Sequence, residues 1–249
     1  MSAATIETTT APVLRLENVT AGYFANDIVL EDINMRVEPG KVTSVLGPNG
    51  SGKSTSLRVM AGFLKPRSGR VMLGDEDISA LNPAERLAKG VAMLPQGRSV
   101  FPELTVEDNL RLGAWQLRKD KQAMQEAIDR MVERYPVLTK FMNRAAGSLS
   151  GGQARILEFA RTLILSPSVL LIDEPSVGLS PLLVDEVYDE MDRLKQEGRT
   201  ILLVDQNVQA AVGLADHVYT LAYGKNHLDG SRDGFEGQLD GLIKQWLSL

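Results

Sequence analysis

The most constraining feature of this 249-residue chain is one short run, Gly47-Pro48-Asn49-Gly50-Ser51-Gly52-Lys53-Ser54-Thr55. It follows the β-rich stretch Val42-Thr43-Ser44-Val45-Leu46 and precedes a segment with helical character. The run meets in full the pattern of a glycine, four free positions, then Gly, Lys and Ser or Thr. Its glycines let backbone N–H groups turn inward around a polyphosphate, at a helix N-terminus whose dipole favours anions. Lys53 can then reach the β- and γ-phosphates, and the Ser54 hydroxyl can coordinate Mg²⁺. A strand, loop and helix of this kind commit the chain to an α/β fold that holds a nucleoside triphosphate.

The rest of the chain divides by texture. Residues 1–11 are Thr/Ala-rich and aperiodic, which predicts a disordered tail. Leu14–Tyr23 and Ile28–Val37 have short β-like patterns, so a β subdomain opens the chain. The helix after the glycine loop should carry Leu57, Val59, Met60 and Leu64 and end at Lys65-Pro66-Arg67-Ser68-Gly69. About residues 97–152 form a mostly helical insertion, in which Asp120–Arg134 places Met124, Ile128, Met131 and Val132 on one face. Val169–Ile172 and Thr200–Val204 are continuous apolar runs, as expected of a parallel sheet covered on both faces, with a helix between them over roughly Pro181–Gln196.

Two further motifs carry chemistry. The Val169–Ile172 run ends in Asp173-Glu174. A carboxylate there can enter the Mg²⁺ shell while its neighbour faces the attacking water, making Asp173 the metal-side residue and Glu174 the general base. An acidic pair after a strand is more often a helix cap or a solvated turn; downstream of a phosphate loop it gains weight. Leu149-Ser150-Gly151-Gly152-Gln153 precedes another helix and forms a second anion-binding helix start. Two such ends with one nucleotide per chain point to a second subunit whose nucleotide the second end serves.

Composition removes several classes of function. There is no cysteine and there are only two histidines, so disulfides, iron–sulfur clusters, thiolate zinc and histidine-rich metal sites are excluded. The net charge of −5 argues against broad electrostatic binding of nucleic acid. No apolar run approaches the roughly 20 residues that cross a bilayer, and the N-terminus lacks a signal-peptide pattern, so a soluble intracellular chain is expected. Trp115 and Trp246 read as packing residues, and Leu239, Leu242, Ile243 and Trp246 read as the docking face of a C-terminal helix.

With the phosphate loop, LSGGQ and LLIDEP in this order and at these separations, the sequence resembles the ATP-binding cassette (ABC) ATPases from Val13 to Gly230. The resemblance implies one ABC ATPase domain over residues 12–249, with a RecA-like P-loop NTPase core, an N-terminal antiparallel β subdomain and the helical subdomain inserted. It implies ATP and Mg²⁺ as ligands. Position by position it implies that Tyr23 stacks on adenine, that Gln96 belongs to the loop sensing Mg²⁺ and nucleotide, and that Glu174 is the catalytic glutamate. By the same likeness Ser150, Gly151, Gly152 and Gln153 close over the ATP of the opposite subunit.

Two positions depart from the family pattern. Gln206 stands where a histidine usually contacts the γ-phosphate, and an amide can donate a hydrogen bond but cannot carry a proton. Ser180 stands where a Leu-Asp-Pro context usually supplies a carboxylate. Hydrolysis is therefore expected to depend on pairing with a different ATPase. Leu94–Arg98, Phe101–Leu110 and Val204–Asn207 are similar to the LivF-type subunits of branched-chain amino-acid importers, whose relatives import urea and short-chain amides. That likeness implies a second ATP-binding subunit, two permeases, an extracytoplasmic binding protein and a place on the inner face of the bacterial plasma membrane. The rivals are a soluble ABC ATPase of DNA or the ribosome and a nucleotide switch. About 50 residues between Gln96 and Leu149 are too few for a long coiled-coil arm, and an intact Glu174 argues against a silent switch.

Overall fold

A computed structural model describes residues 12–237 and 241. The N-terminal tail and Leu239, Leu242, Ile243 and Trp246 lie outside the described residues. The chain opens with β1 (Leu14–Ala21), β2 (Leu30–Val37) and β3 (Val42–Leu46), followed by α1 (Lys53–Met60), β4 (Ser68–Leu73), β5 (Glu76–Asp77), α2 (Pro83–Ala88) and β6 (Val91–Leu94). Next come α3 (Val106–Gly113), α4 (Lys121–Arg134) and α5 (Gly151–Leu163), with short 3-10 turns between them. The chain returns to the sheet with β7 (Val169–Asp173), α6 (Pro181–Gln196), β8 (Thr200–Val204), α7 (Val208–Leu214), β9 (His217–Ala222), β10 (Lys225–Ser231) and α8 (Arg232–Glu236).

Two sheets result. The first is antiparallel, in the order β2-β1-β4-β5. The second runs β10-β9-β3-β8-β7-β6 and is parallel except for the antiparallel edge strand β10. This is the α/β architecture of a P-loop NTPase. The apolar runs of β7 and β8 are continuous because their alternate residues serve two cores. Leu170, Ile172, Ile201 and Leu203 face a cluster built with α3 to α7, whereas Val169, Leu171, Leu202 and Val204 face α1 and the antiparallel sheet. The helical insertion has no core of its own; Leu110, Ile128, Met131 and Leu157 pack into the first of these clusters.

Two expectations need correction. The helix after the phosphate loop ends at Met60, not near Lys65, and Leu64 packs against the second core from beyond its end. Gly62, at φ +84°, turns the chain out of the helix, with the Phe63 N–H donating to the Arg58 carbonyl at 2.9 Å, and this end is covered by Arg86. Its fully buried guanidinium donates to the carbonyls of Val59 (2.6 Å), Met60 (2.8 Å), Leu81 (3.1 Å) and Ser79 (3.1 Å). A cation thus sits on the carbonyls at the negative end of α1. Trp115 is the second. It is 57% exposed, with the Arg118 guanidinium 5.4 Å from its ring centroid, because its one-turn 3-10 helix sets Leu117, not Trp115, against the core.

Candidate functional site

The glycine loop joins the central strand β3 to α1, so its backbone is set by the core of the parallel sheet. Gly47 has φ +147°, and a Cβ there would lie 2.2 Å from the Leu221 carbonyl oxygen; Gly52 has φ +100°, and a Cβ would lie 2.5 Å from Leu30. Only glycine fits either position. Pro48, Asn49, Gly50 and Ser51 complete the turn, and the Ser51 hydroxyl is buried without a hydrogen-bond partner. Lys53, 6% exposed, donates to the carbonyls of Gly47 and Pro48, both at 2.9 Å. Burial lowers its pKa, and the nearby carboxylates of Glu174 and Asp173 oppose that shift.

Strand β7 brings the acidic pair to this loop. The Ser54 hydroxyl donates to Asp173 Oδ1 at 2.8 Å across a separation of 119 residues. The next residue, Glu174, leaves the strand with φ +44°, and its N–H donates to the Val204 carbonyl at 2.7 Å. A left-handed turn at a non-glycine residue is strained, and the pairing with β8 holds it in place. One carboxylate oxygen of Glu174 accepts from two amides, Gln96 Nε2 at 2.6 Å and Gln206 Nε2 at 3.0 Å. Both carboxyls are raised above their ordinary pKa. For Glu174 burial is the largest cause and the charge of Asp173 the next, against the Gln206 hydrogen bond; for Asp173 burial outweighs the Ser54 bond and the charges of Arg58 and Lys53.

Neighbouring buried carboxylates, a hydroxyl and an amide form an oxygen-donor set suited to a hard cation that keeps waters and phosphate oxygens as its other ligands. The donors present therefore fit Mg²⁺ beside a triphosphate. Among the described residues there is no cluster of three or more His, Cys, Asp or Glu that would cage a metal without such help.

The remaining motif residues lie around this centre in different ways. Tyr23, 46% exposed, reaches the first turn of α1 through a 3.2 Å bond between its hydroxyl and that of Thr55. Ser150, Gly151, Gly152 and Gln153 form the start of α5. Ser150 Oγ accepts from the Gln153 N–H at 3.3 Å while Gln153 Oε1 accepts from the Ser150 N–H at 3.1 Å, a reciprocal capping box. Ser180 is the N-cap residue of α6 without a side-chain cap bond.

Sequence reasoning missed Asp205. Its buried carboxylate accepts from the Ser176 hydroxyl at 2.6 Å and the Asn207 N–H at 3.0 Å, tying the loop after Glu174 to the loop that carries Gln206. The available signal was a carboxylate directly after the apolar β8 run, the same signal that marked Asp173.

Comparison with known proteins agrees with this geometry. The family model for ABC transporters matches residues 30–177. The chain is 39% identical over 220 residues to the probable branched-chain amino acid transport ATP-binding protein LivF of Archaeoglobus fulgidus, spanning 88% of this chain and 92% of the relative. It is 36% identical to the high-affinity branched-chain amino acid transport ATP-binding protein BraG of Pseudomonas aeruginosa, over 82% of this chain and 86% of the relative. Similarity extends to the lipopolysaccharide export ATP-binding protein LptB of Haemophilus influenzae, at 31% identity over 86% of this chain and 88% of the relative. A crystal structure of an ATP-binding cassette of an ABC transporter in its ADP conformation superposes with a TM-score of 0.83 at 30% identity, covering 96% of this chain and 100% of that one. A phosphate loop, a buried acidic pair and an LSGGQ helix on one P-loop core, with relatives aligned nearly end to end, make this chain a member of the ABC transporter family and an ATP-hydrolysing subunit within it.

Proposed function

We propose that the chain powers a membrane importer of branched-chain amino acids, hydrolysing ATP in a pair with a second, non-identical ATP-binding subunit. The observation that carries the mechanism is the Glu174 carboxylate, held by two amides next to the Ser54–Asp173 pair. Tyr23 stacks on adenine, and residues 47–55 wrap the phosphates. Lys53 offsets phosphate charge, while Ser54, Asp173 and Gln96 would hold Mg²⁺. At that place a bound Mg²⁺ would supply positive charge against the charge developing on the phosphates. Glu174 takes a proton from the attacking water, and Gln96 and Gln206 fix which carboxylate oxygen faces it. Gln206 can orient and donate but cannot shuttle a proton, so this half-site relies on its partner for fast turnover.

Ser150 to Gln153 serve the ATP held by the partner subunit, so binding closes the pair and hydrolysis releases it. Closure is passed to two permeases at the cytoplasmic face of the membrane. No described helix is long and apolar enough to cross a bilayer, in keeping with a peripheral subunit. A groove of about 360 Å³ edged by the 65% exposed Phe63 and lined by Leu87, Met93, Pro95 and Leu112 lies between the α/β core and the helical insertion, and suits an apolar permease helix. The cargo reading rests on the two branched-chain amino-acid relatives.

The test is to purify the tagged chain from detergent-solubilised membranes and identify its companions by mass. A second ATPase and two permeases are expected, together with leucine uptake that disappears in a Glu174→Gln strain. Uptake of urea or short-chain amides instead would change the cargo alone. Recovery of the chain by itself or with nucleic acid overturns the transport reading.

A further inference from the structure

The four residues Pro95 to Arg98 are exposed, yet the loop they form is pinned at both ends. At one end Gln96 donates to Glu174. At the other, both polar groups of the Ser99 backbone are taken by helix α5. The Ser99 N–H donates to Glu158 Oε1 at 2.5 Å, and the Ser99 carbonyl accepts from Arg161 Nη1. Glu158 is 3% exposed, and its other oxygen accepts from Arg155 Nη1 at 2.7 Å, so its carboxylate has one orientation. Arg161 also lies over the Phe101 ring, 5.0 Å from its centroid. A buried acid and a neighbouring guanidinium thus clamp the two peptide groups that flank Ser99, and they belong to the helix whose first turn is Gly151-Gly152-Gln153.

We infer that Glu158, oriented by Arg155 and assisted by Arg161, is a positioning residue that makes the start of α5 and the Gln96 side chain move together. Ser99 lies three positions after Gln96, so the strap spans at most about 10 Å and transmits displacement with little slack. Moving α5 against the core pulls on the amide that holds the Glu174 carboxylate. Ser99, Glu158 and Arg161 also line the groove beside Phe63, so a helix seated there bears on the clamp directly. A charge-assisted hydrogen bond in a buried setting is strong enough for such a tether.

This inference rests on the role proposed for Glu174, and a kinetic double-mutant cycle in the membrane complex purified through this chain tests the two separately. Glu158→Ala should lower kcat about 5–20-fold and leave the KM for ATP within about twofold, the range expected for a lost positioning contact. Glu158→Gln keeps an oxygen for the Ser99 N–H and should restore most of kcat. In a Gln96→Ala background Glu158→Ala should add little, because both act through one strap. Independent, multiplying losses in the double variant, or a raised KM with unchanged kcat, overturn the inference. If Glu158→Ala does not fold, Arg161→Gln is carried through the same cycle and judged by the same outcomes. Full turnover in Glu174→Gln strikes the proposed chemistry instead, and leaves that failure distinct from additivity in the cycle.

Discussion

Helices α1 and α5 begin with glycine-rich segments that look interchangeable in the sequence, yet the structure treats them in opposite ways. The N-cap of α1 is Gly52, which has no side chain, and the first turn is buried with Lys53, Thr55 and Ser56. The N-cap of α5 is Ser150, whose hydroxyl and the Gln153 amide satisfy the helix's own donors at the surface. One helix start is left uncapped and enclosed, so its free N–H groups and dipole are available to an anion. The other is capped by its own Ser150 hydroxyl, with Ser150 and Gly151 exposed, as a surface presented to another molecule must be. The same local chemistry becomes a receptor in one place and a contact face in the other, and the surrounding packing decides which.

The comparison can be broken most forcefully at the enclosed end. Lys53→Ala should reduce ATP turnover by roughly 10²–10³-fold or more, since it removes a charge placed where phosphate charge develops. Retained ATP binding and transport in that variant would contradict the site. Next in size is the device that covers the end of α1. Arg86→Met removes the side-chain donor from four carbonyls, of which Val59 keeps the Gly62 N–H, and should cost about 2–4 kcal/mol, measured by urea unfolding. A loss below about 1 kcal/mol would mean that water replaces the guanidinium.

At the exposed end the expected stability effect is smaller and the functional one selective. Ser150→Ala should lower stability by about 0.5–2 kcal/mol through the lost cap. If the segment also serves the partner's nucleotide, turnover of the assembled pair falls while ATP affinity of the single chain holds. Equal retention of both would reduce the motif to a cap. The subtlest test is pH. Burial and the charge of Asp173 raise the pKa of Glu174, and a base works only when ionised. The acid limb of kcat should therefore lie above the ordinary Glu value, with activity falling as pH decreases through it. A limb at the ordinary value would show that the carboxyl is better solvated than its burial suggests.

Motifs that depend on local backbone chemistry were legible in the sequence. The phosphate loop, the acidic pair after β7 and the Asp120-capped helix α4 each follow from residues within a few positions of one another. What escaped was set at long range. Arg86 covers the carbonyls of a helix end 26 residues upstream, an end that only the nearby Gly62 marks in the sequence. Trp115 looked like core because large aromatics usually bury area, but its short 3-10 turn leaves the ring exposed. Gln206 read as a loss relative to histidine; the fold puts its amide on the carboxylate of Glu174, 32 residues away.

The sequence by itself determined the class of ligand and the strand, loop and helix that would meet it, because glycine geometry and phosphate charge are local constraints. Only the tertiary structure decided that Ser54 meets Asp173, that Gln96 and Gln206 share one oxygen of Glu174, and that Glu158 grips the peptide of Ser99. Those contacts join residues far apart in the chain. Their geometry is fixed by the order of strands in the parallel sheet and the packing of α5 upon it, which no short stretch of residues contains.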